Sequence, residues 1–146
     1  KSNTLRSKLL LKKVNEILSN KIENKKICFL GVTFKANTDD MRDSSSLKMI
    51  PELSKKGATI KYYDPTGEKK EFKKYKNVQY LNSLSKCLEK TDLIIIHTEW
   101  NDFKTLDFKK FIKNKKTIIF DMRNLYSPRT MINKKIKYFS VGRGIE

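Results

Sequence analysis

Three cations in this 146-residue chain stand where an anion could be held. Lys35 and Arg42 lie in the polar stretch Gly31 to Leu47, "GVTFKANTDDMRDSSSL", and Arg123 lies in "FDMRN" at Phe120 to Asn124. Each stretch comes just after a short apolar run that reads as a buried strand. Asn37 and Thr38 add neutral donors to the first stretch. Of the 33 basic residues only five are arginine (Arg6, Arg42, Arg123, Arg129 and Arg143), so an arginine in this lysine-rich chain marks a place where a planar, bidentate guanidinium is wanted. That criterion selects Arg42 and Arg123, both just past predicted strands.

Other chemistries find less support. Only Gly31 is present in the first turn, so it is neither a GxGxxG dinucleotide turn nor a P-loop. Asp39, Asp40 and Asp43 beside Arg42 read equally as a self-contained ion-pair loop. Asp64 ends a strand where a ribose-binding acid would stand, but without a Gly-rich turn it reads as a turn-former before Pro65. His97, alone in an apolar strand, reads first as a buried, satisfied imidazole, and Trp100 as a packing anchor. No His, Cys and carboxylate cluster has metal-ligand spacing, and no Ser, His and Asp arrangement suggests a nucleophile.

These residues need elements to position them, and the apolar periodicity supplies them. Residues 3–22 carry Leu5, Leu9, Val14, Ile17, Leu18 and Ile22 at helical spacing, which predicts one amphipathic helix. Strands are then expected over Lys26 to Leu30, Thr59 to Tyr63, Val78 to Leu81, Leu93 to Thr98, Thr117 to Asp121 and Ile136 to Val141. Helical patterns fall between them: one starts at Ser44 or Ser45, carries Pro51, which predicts a kink or a late start, and stops at Gly57. A second is capped by Ser83, and a third by Ser127 with Pro128 at its first position. The stretch 66–75 reads as a loop or a ragged helix, and 99–113 as a turn and a short helix. The alternation predicts an α/β domain: an open, mostly parallel sheet in three layers, preceded by one amphipathic helix. Ligands of such sheets bind outside the carboxyl ends of the strands, where the strand order reverses. The loops after strands one, four and five, with Gly142-Arg143 after the last, should converge there.

Composition bounds the rest. A chain of this length builds one core, and no apolar run reaches membrane-spanning length. The cytoplasm is the expected compartment, with no membrane partner. Cys28 in a strand and Cys87 in a helical segment form neither a CxxC pair nor a framework, and read as buried, reduced thiols. The net charge of +17 raises nucleic-acid binding. The lysines, however, fall as scattered pairs along the whole length, from Lys12-Lys13 to Lys134-Lys135. With neither an aromatic stacking platform nor a groove-reading helix, nucleic acid ranks as an unlikely partner.

Taken together, these motifs resemble a known family. "GVTFKANTDDMRDSSSL", "YDP" at Tyr63 to Pro65, "TEWNDF" at Thr98 to Phe103, "FDMRN", and "VGRG" at Val141 to Gly144 are similar, in order and spacing, to the UDP-binding domain of the UDP-glucose/GDP-mannose dehydrogenase family. The Thr-Glu-Trp element favours its UDP-glucose 6-dehydrogenase branch. The resemblance implies a Rossmann-like domain over residues 25–146, with residues 1–24 as the end of the linking helical region.

It implies that Phe34 and Lys35 line the diphosphate and sugar of UDP-glucose, that Arg123 reaches the substrate, and that Arg42 binds it or holds the loop. It also implies oxidation of the sugar C6 alcohol to a carboxylate with NAD, in a homodimer, with NAD bound by a domain outside this chain. Cys28 and Cys87 do not match the family's catalytic cysteine. The expectation is a UDP-sugar-binding piece that is inactive alone, can stand as a monomer, and is partnered by the rest of the dehydrogenase chain. Two alternatives stand beside it: a non-catalytic module for an anionic nucleotide, and a basic nucleic-acid-binding protein.

Overall fold

In the computed structural model, which describes residues 2–113 and 116–141, apolar runs and helical stripes alternate along the chain. Helix α1 spans Ser2–Ile17 and leads to β1 (Lys26–Leu30), α2 (Ser46–Lys55) and β2 (Thr59–Tyr63). After a 3-10 turn at Lys70–Phe72 come β3 (Val78–Tyr80), α3 (Leu84–Leu88) and β4 (Leu93–Ile96). Two short helices, α4 (Asn101–Lys104) and α5 (Phe108–Phe111), precede β5 (Ile118–Asp121), α6 (Pro128–Asn133) and β6 (Lys137–Ser140). All six strands are parallel, in the order β3-β2-β1-β4-β5-β6. The order reverses between β1 and β4, as in doubly wound dinucleotide folds.

Right-handed crossovers then decide which helix covers which face. The moves from β1 out to β3 place α2 and the 3-10 turn on one face. The moves from β3 back across to β6 place α3 to α6 on the other. The first face is thereby left bare under β4 and β5, and α1 covers it: Leu10, Val14 and Leu18 share one core with Leu93, Ile95, Phe120 and Met122. The same core holds Ile27, Phe29, Met49, Ile50 and Leu53. Alternate strand residues Cys28, Leu30, Ile94, Ile96 and Ile119 face the second core with Cys87, Trp100, Phe103, Phe108 and Met131. The three layers expected from the sequence are present.

Several local expectations need correction. The buried stripe of α1 runs through Ser7, Leu10 and Val14 and continues to Leu18 just past its end, while Leu5 and Leu9 lie on the solvent side, 61% and 59% exposed. Ile22 joins that core from beyond the helix end, after left-handed turns at Ser19 and Asn20. Helix α2 begins at Ser46 and includes Pro51, so the late start does not occur; Met49, Ile50 and Leu53 around the proline are all held in the core. Residues 99–113 form two short helices. Ser83 and Ser127 do cap α3 and α6, accepting from the amides of Lys86 and Thr130. Gly142 and Arg143 lie outside the described residues, as does most of "VGRG".

Candidate functional site

The ladder aligns the strand ends into one edge. Leu30 pairs with both Tyr63 and Ile96, Ile96 with Asp121, and Asp121 with Ser140. The loops leaving the strands therefore share that edge, with those after β1 and β4 at the point of reversal. Gly31 begins the first loop at φ +78°, and a Cβ there would lie 2.5 Å from the Thr98 Cβ. The close approach of the two loops requires glycine.

Beyond Gly31 a single residue is held from both sides. The Val32 N–H donates to Asp64 Oδ2 at 2.8 Å, and its carbonyl accepts from the hydroxyls of Ser44 and Ser46, each at 2.6 Å. Asp64 also accepts from the Thr66 amide at 2.9 Å, so it is both the turn-former expected from the sequence and a pin for the neighbouring loop. The run Ser44-Ser45-Ser46 does more than cap a helix. The Ser45 side chain makes no capping bond; its hydroxyl faces His97 Nε2 at 2.9 Å.

Partners fix the tautomer of His97. Thr98 Oγ1 donates to the Thr33 carbonyl at 3.0 Å, so its contact with His97 Nδ1, also 3.0 Å, is one in which the ring N–H donates. Nε2 is then the acceptor of the Ser45 proton. The imidazole is fully buried, and burial above all, with the positive charges of Arg123 and Arg6 adding, pushes its pKa down to about 3. His97 is a neutral strut joining α2, β4 and the first loop.

The tip of that loop carries Phe34 and Lys35. It is closed by Phe34 N–H to the Asp40 carbonyl at 3.0 Å and by Thr33 Oγ1 to the Lys35 carbonyl at 2.9 Å. The Phe34 ring is 42% exposed and Lys35 is exposed beside it. Across the reversal point, Asp121 at the end of β5 is buried and accepts the Arg123 amide, the Tyr126 amide and the Tyr138 hydroxyl. That carboxylate builds the turn from which Arg123 reaches back. Arg123 Nε donates to the His97 carbonyl at 2.9 Å and Nη2 to the Phe34 carbonyl at 3.0 Å. Its Nη1 lies 3.6 Å from Glu99 Oε1. Burial lowers the Arg123 pKa, Glu99 opposes that, and Arg6 of α1 adds to it.

The structure thus ties Arg123 to the backbone of Phe34, next to Lys35, and sets Arg42 apart. Arg42 is 88% exposed and forks onto Asp40, with Nε to Oδ1 at 3.0 Å and Nη2 to Oδ2 at 3.1 Å. Its hydrogen bonds hold the Asp40 carboxyl below its ordinary pKa. Beside it an open cavity of about 570 Å³ is lined by Asp40, Arg42, Leu47 and Glu68 to Glu71, and by neither Lys35 nor Arg123. Sequence reasoning brings Glu99 and Asp121 to this edge with their loops and Ser45 to a helix start without giving them these roles, and it misses Ser46 and Arg6. A Ser triplet before an apolar stripe is the one legible signal among them, and by itself it points only to a cap.

This edge can hold an anion but offers little for covalent chemistry. Cys28 and Cys87 are both fully buried with their sulfurs 2.7 Å apart. Among the described residues no cluster of His, Cys and carboxylates could hold a metal ion, and no helix is long and apolar enough to cross a membrane. The edge does not fit a dinucleotide cofactor either. Where a Gly-rich turn would leave room for a pyrophosphate, the Val32 carbonyl is filled in by serine hydroxyls, and Asp64, at the ribose-acid position, is spent on Val32 and Thr66.

Comparison with known proteins gives this geometry its relatives. The chain is 36% identical over 148 aligned residues to the UDP-glucose 6-dehydrogenase of Rickettsia bellii, covering 99% of this chain and 34% of that protein. It is 34% identical to the UDP-glucose 6-dehydrogenase of Rhizobium meliloti, over 97% of this chain and 32% of that protein. It therefore spans about a third of the length of the curated relatives it matches. Among solved structures, an NDP-N-acetyl-D-galactosaminuronic acid dehydrogenase from Methanosarcina mazei superposes with a TM-score of 0.76 at 24% identity, over 95% of this chain and 29% of that one. Residues 28–128, from β1 through the turn that carries Arg123, match the UDP binding domain of one dehydrogenase group, and the chain belongs to that group, the UDP-glucose/GDP-mannose dehydrogenase family.

Proposed function

We propose that this chain supplies the UDP-holding wall of an NAD-dependent UDP-glucose 6-dehydrogenase, which converts UDP-glucose to UDP-glucuronate. Phe34 and Lys35 face the diphosphate and sugar, Arg123 receives the diphosphate, and Arg42 shapes the loop by fixing Asp40. The observation that carries this reading is the setting of Arg123. Two backbone carbonyls hold two of its five N–H donors, leaving three in a fixed plane beside the exposed Lys35. A planar cation so fixed matches a phosphate bidentately.

Oxidation itself belongs to residues outside this stretch. Neither cysteine is presented to the edge, His97 is neutral and bonded at both nitrogens, and the turn after β1 does not fit NAD. In the whole protein the NAD domain and the catalytic thiol would come from other parts of the chain, in a homodimer, and the 146-residue piece alone would be inactive. Calorimetric titration of this chain with UDP tests the assignment, and NADH formation from UDP-glucose tests its silence. Weak UDP binding without turnover is expected. Robust turnover would place the chemistry here instead.

A further inference from the structure

Glu99 is the acidic partner of Arg123, and its geometry is that of a loose hold. Its Oε1 lies 3.6 Å from Arg123 Nη1, within ion-pair range but beyond a hydrogen bond. The carboxylate is 49% exposed while the guanidinium is 24% exposed. Arg123, in contrast, is fixed: Nε and Nη2 are bonded to the carbonyls of His97 and Phe34. Of its five N–H groups, both on Nη1 and one on Nη2 have no hydrogen-bonding partner among the described residues. The side of the guanidinium that could take two oxygens of an anion is therefore the side Glu99 approaches.

The backbone around Glu99 cannot move far, but its side chain can. Thr98 on one side is buried and bonded to the Thr33 carbonyl, and Trp100 on the other is packed into the second core. A change of Glu99 rotamer moves the carboxylate away without disturbing β4 or the first loop. What remains is a largely buried guanidinium that also feels the charge of Arg6.

We infer that Glu99 is a specificity-setting placeholder: it occupies the anion-facing side of Arg123 in the unliganded protein and yields that side only to a diphosphate. This rests on the proposed UDP-binding role. The loose ion pair, 3.6 Å long, is exchanged for two charge-assisted hydrogen bonds of the ordinary ~2.7–2.9 Å kind. A neutral or singly bonding ligand does not recover what it displaces. Glu99 thus sets a threshold against weak anions and lowers the affinity for the right one.

The test is calorimetric titration of the chain with UDP and with inorganic pyrophosphate, in the parent, Glu99→Gln and Asp102→Asn. The last makes the same change of charge in the same segment at a residue without an ion pair among the described residues. Glu99→Gln should bind both ligands roughly two- to fivefold more tightly, the range of a partly exposed ion pair. Its melting temperature should match the parent's, and Asp102→Asn should bind like the parent. In an Arg123→Lys background, where the two-toothed side is gone, the gain from Glu99→Gln should disappear. A parent chain that binds UDP, with a Glu99→Gln variant that binds it no tighter, overturns this inference alone and makes Glu99 an orienting partner of Arg123. A parent chain silent towards UDP overturns both this inference and the assigned function.

Discussion

Arg123 donates to the main-chain carbonyl of Phe34 at 3.0 Å across 89 positions of sequence. The bond ties the loop after β1 to the turn after β5, over the end of β4, at the point where the sheet reverses its order. The residue expected to meet the ligand is thus also the one that shapes the loop carrying the other two.

Substitution of Arg123 should therefore act twice. Arg123→Ala removes a ligand donor and frees the Phe34 carbonyl, and with hydrogen bonds to charged groups contributing roughly 1.5–3 kcal/mol, UDP affinity should fall about ten- to a hundredfold. Arg123→Lys keeps the charge but can reach only one of the two carbonyls, so it should recover part of that loss. Amide exchange at Phe34 reads the second effect, and it should speed up in both variants. Unchanged exchange in Arg123→Ala would mean that the loop stands without the strap.

His97 gives the fold a pH dependence with a definite sign. Its pKa is about 3 folded against 6.5 for the free side chain, so above pH 6.5 it contributes nothing. As pH falls below 6.5 the unfolded chain takes up a proton that the folded one refuses, and stability drops by about 1.4 kcal/mol per pH unit towards pH 3. Carboxylates titrate over part of this window, so the comparison must be with His97→Gln. Urea unfolding at about pH 7, 5.5 and 4.5 should show the parent losing stability faster than the variant. Parallel profiles would mean that the imidazole is protonated in the fold.

The loop after β1 should not tolerate a side chain at Gly31. Its φ of +78° costs an L-residue about 1–2 kcal/mol, and the clash with Thr98 adds the cost of overpacking, about 1–3 kcal/mol. Gly31→Ala should destabilise the chain by about 2–5 kcal/mol in equilibrium unfolding. A loss under about 1 kcal/mol would show that the two loops can separate.

The two thiols should be inert. Burial first, then the hydrogen bond to Cys87, raises the Cys28 pKa well above its ordinary value, and the thiolate is the reactive form. A disulfide reagent at about pH 8 should label neither cysteine on the time scale on which it labels both in denaturant. Fast labelling of the native chain would reopen the question of a nucleophile here.

Most of the fold was legible because strand signals in a parallel sheet are local: the apolar run Lys26–Leu30 and the alternating run Thr59–Tyr63 match their observed bounds. Helix α1 was harder. Its apolar residues occupy more than one stripe, and only the bare half of the sheet decides that Leu10 goes in while Leu5 and Leu9 stay out. At the site, residue type singles out Arg42 and Arg123 without the structure, since an arginine in a lysine-rich chain stands out, while Lys35 is placed there only by its loop. The sequence shows Ser45 only as a cap and Asp121 only as the end of a strand. Ser45 and Ser46 act on partners 52 and 14 positions away, His97 and Val32, and Asp121 joins the nearby amides of Arg123 and Tyr126 to Tyr138, 17 positions away; no local pattern announces the long-range bonds. For Arg42 the sequence leaves two readings, ligand or loop, and in the fold its guanidinium is bonded to Asp40 within that loop.

The proposed function assigns Lys35 and Arg123 to the diphosphate of a UDP-sugar. Calorimetric titration with UDP of the parent, Lys35→Ala and Lys134→Ala tests it most directly, with a short DNA duplex as the competing polyanion. Weak UDP binding by the parent is expected, with roughly ten- to a hundredfold weaker binding by Lys35→Ala and parent-like binding by Lys134→Ala. Indistinguishable affinities for the two lysine variants, or a chain silent towards UDP that binds DNA tightly with a steep salt dependence, would contradict it.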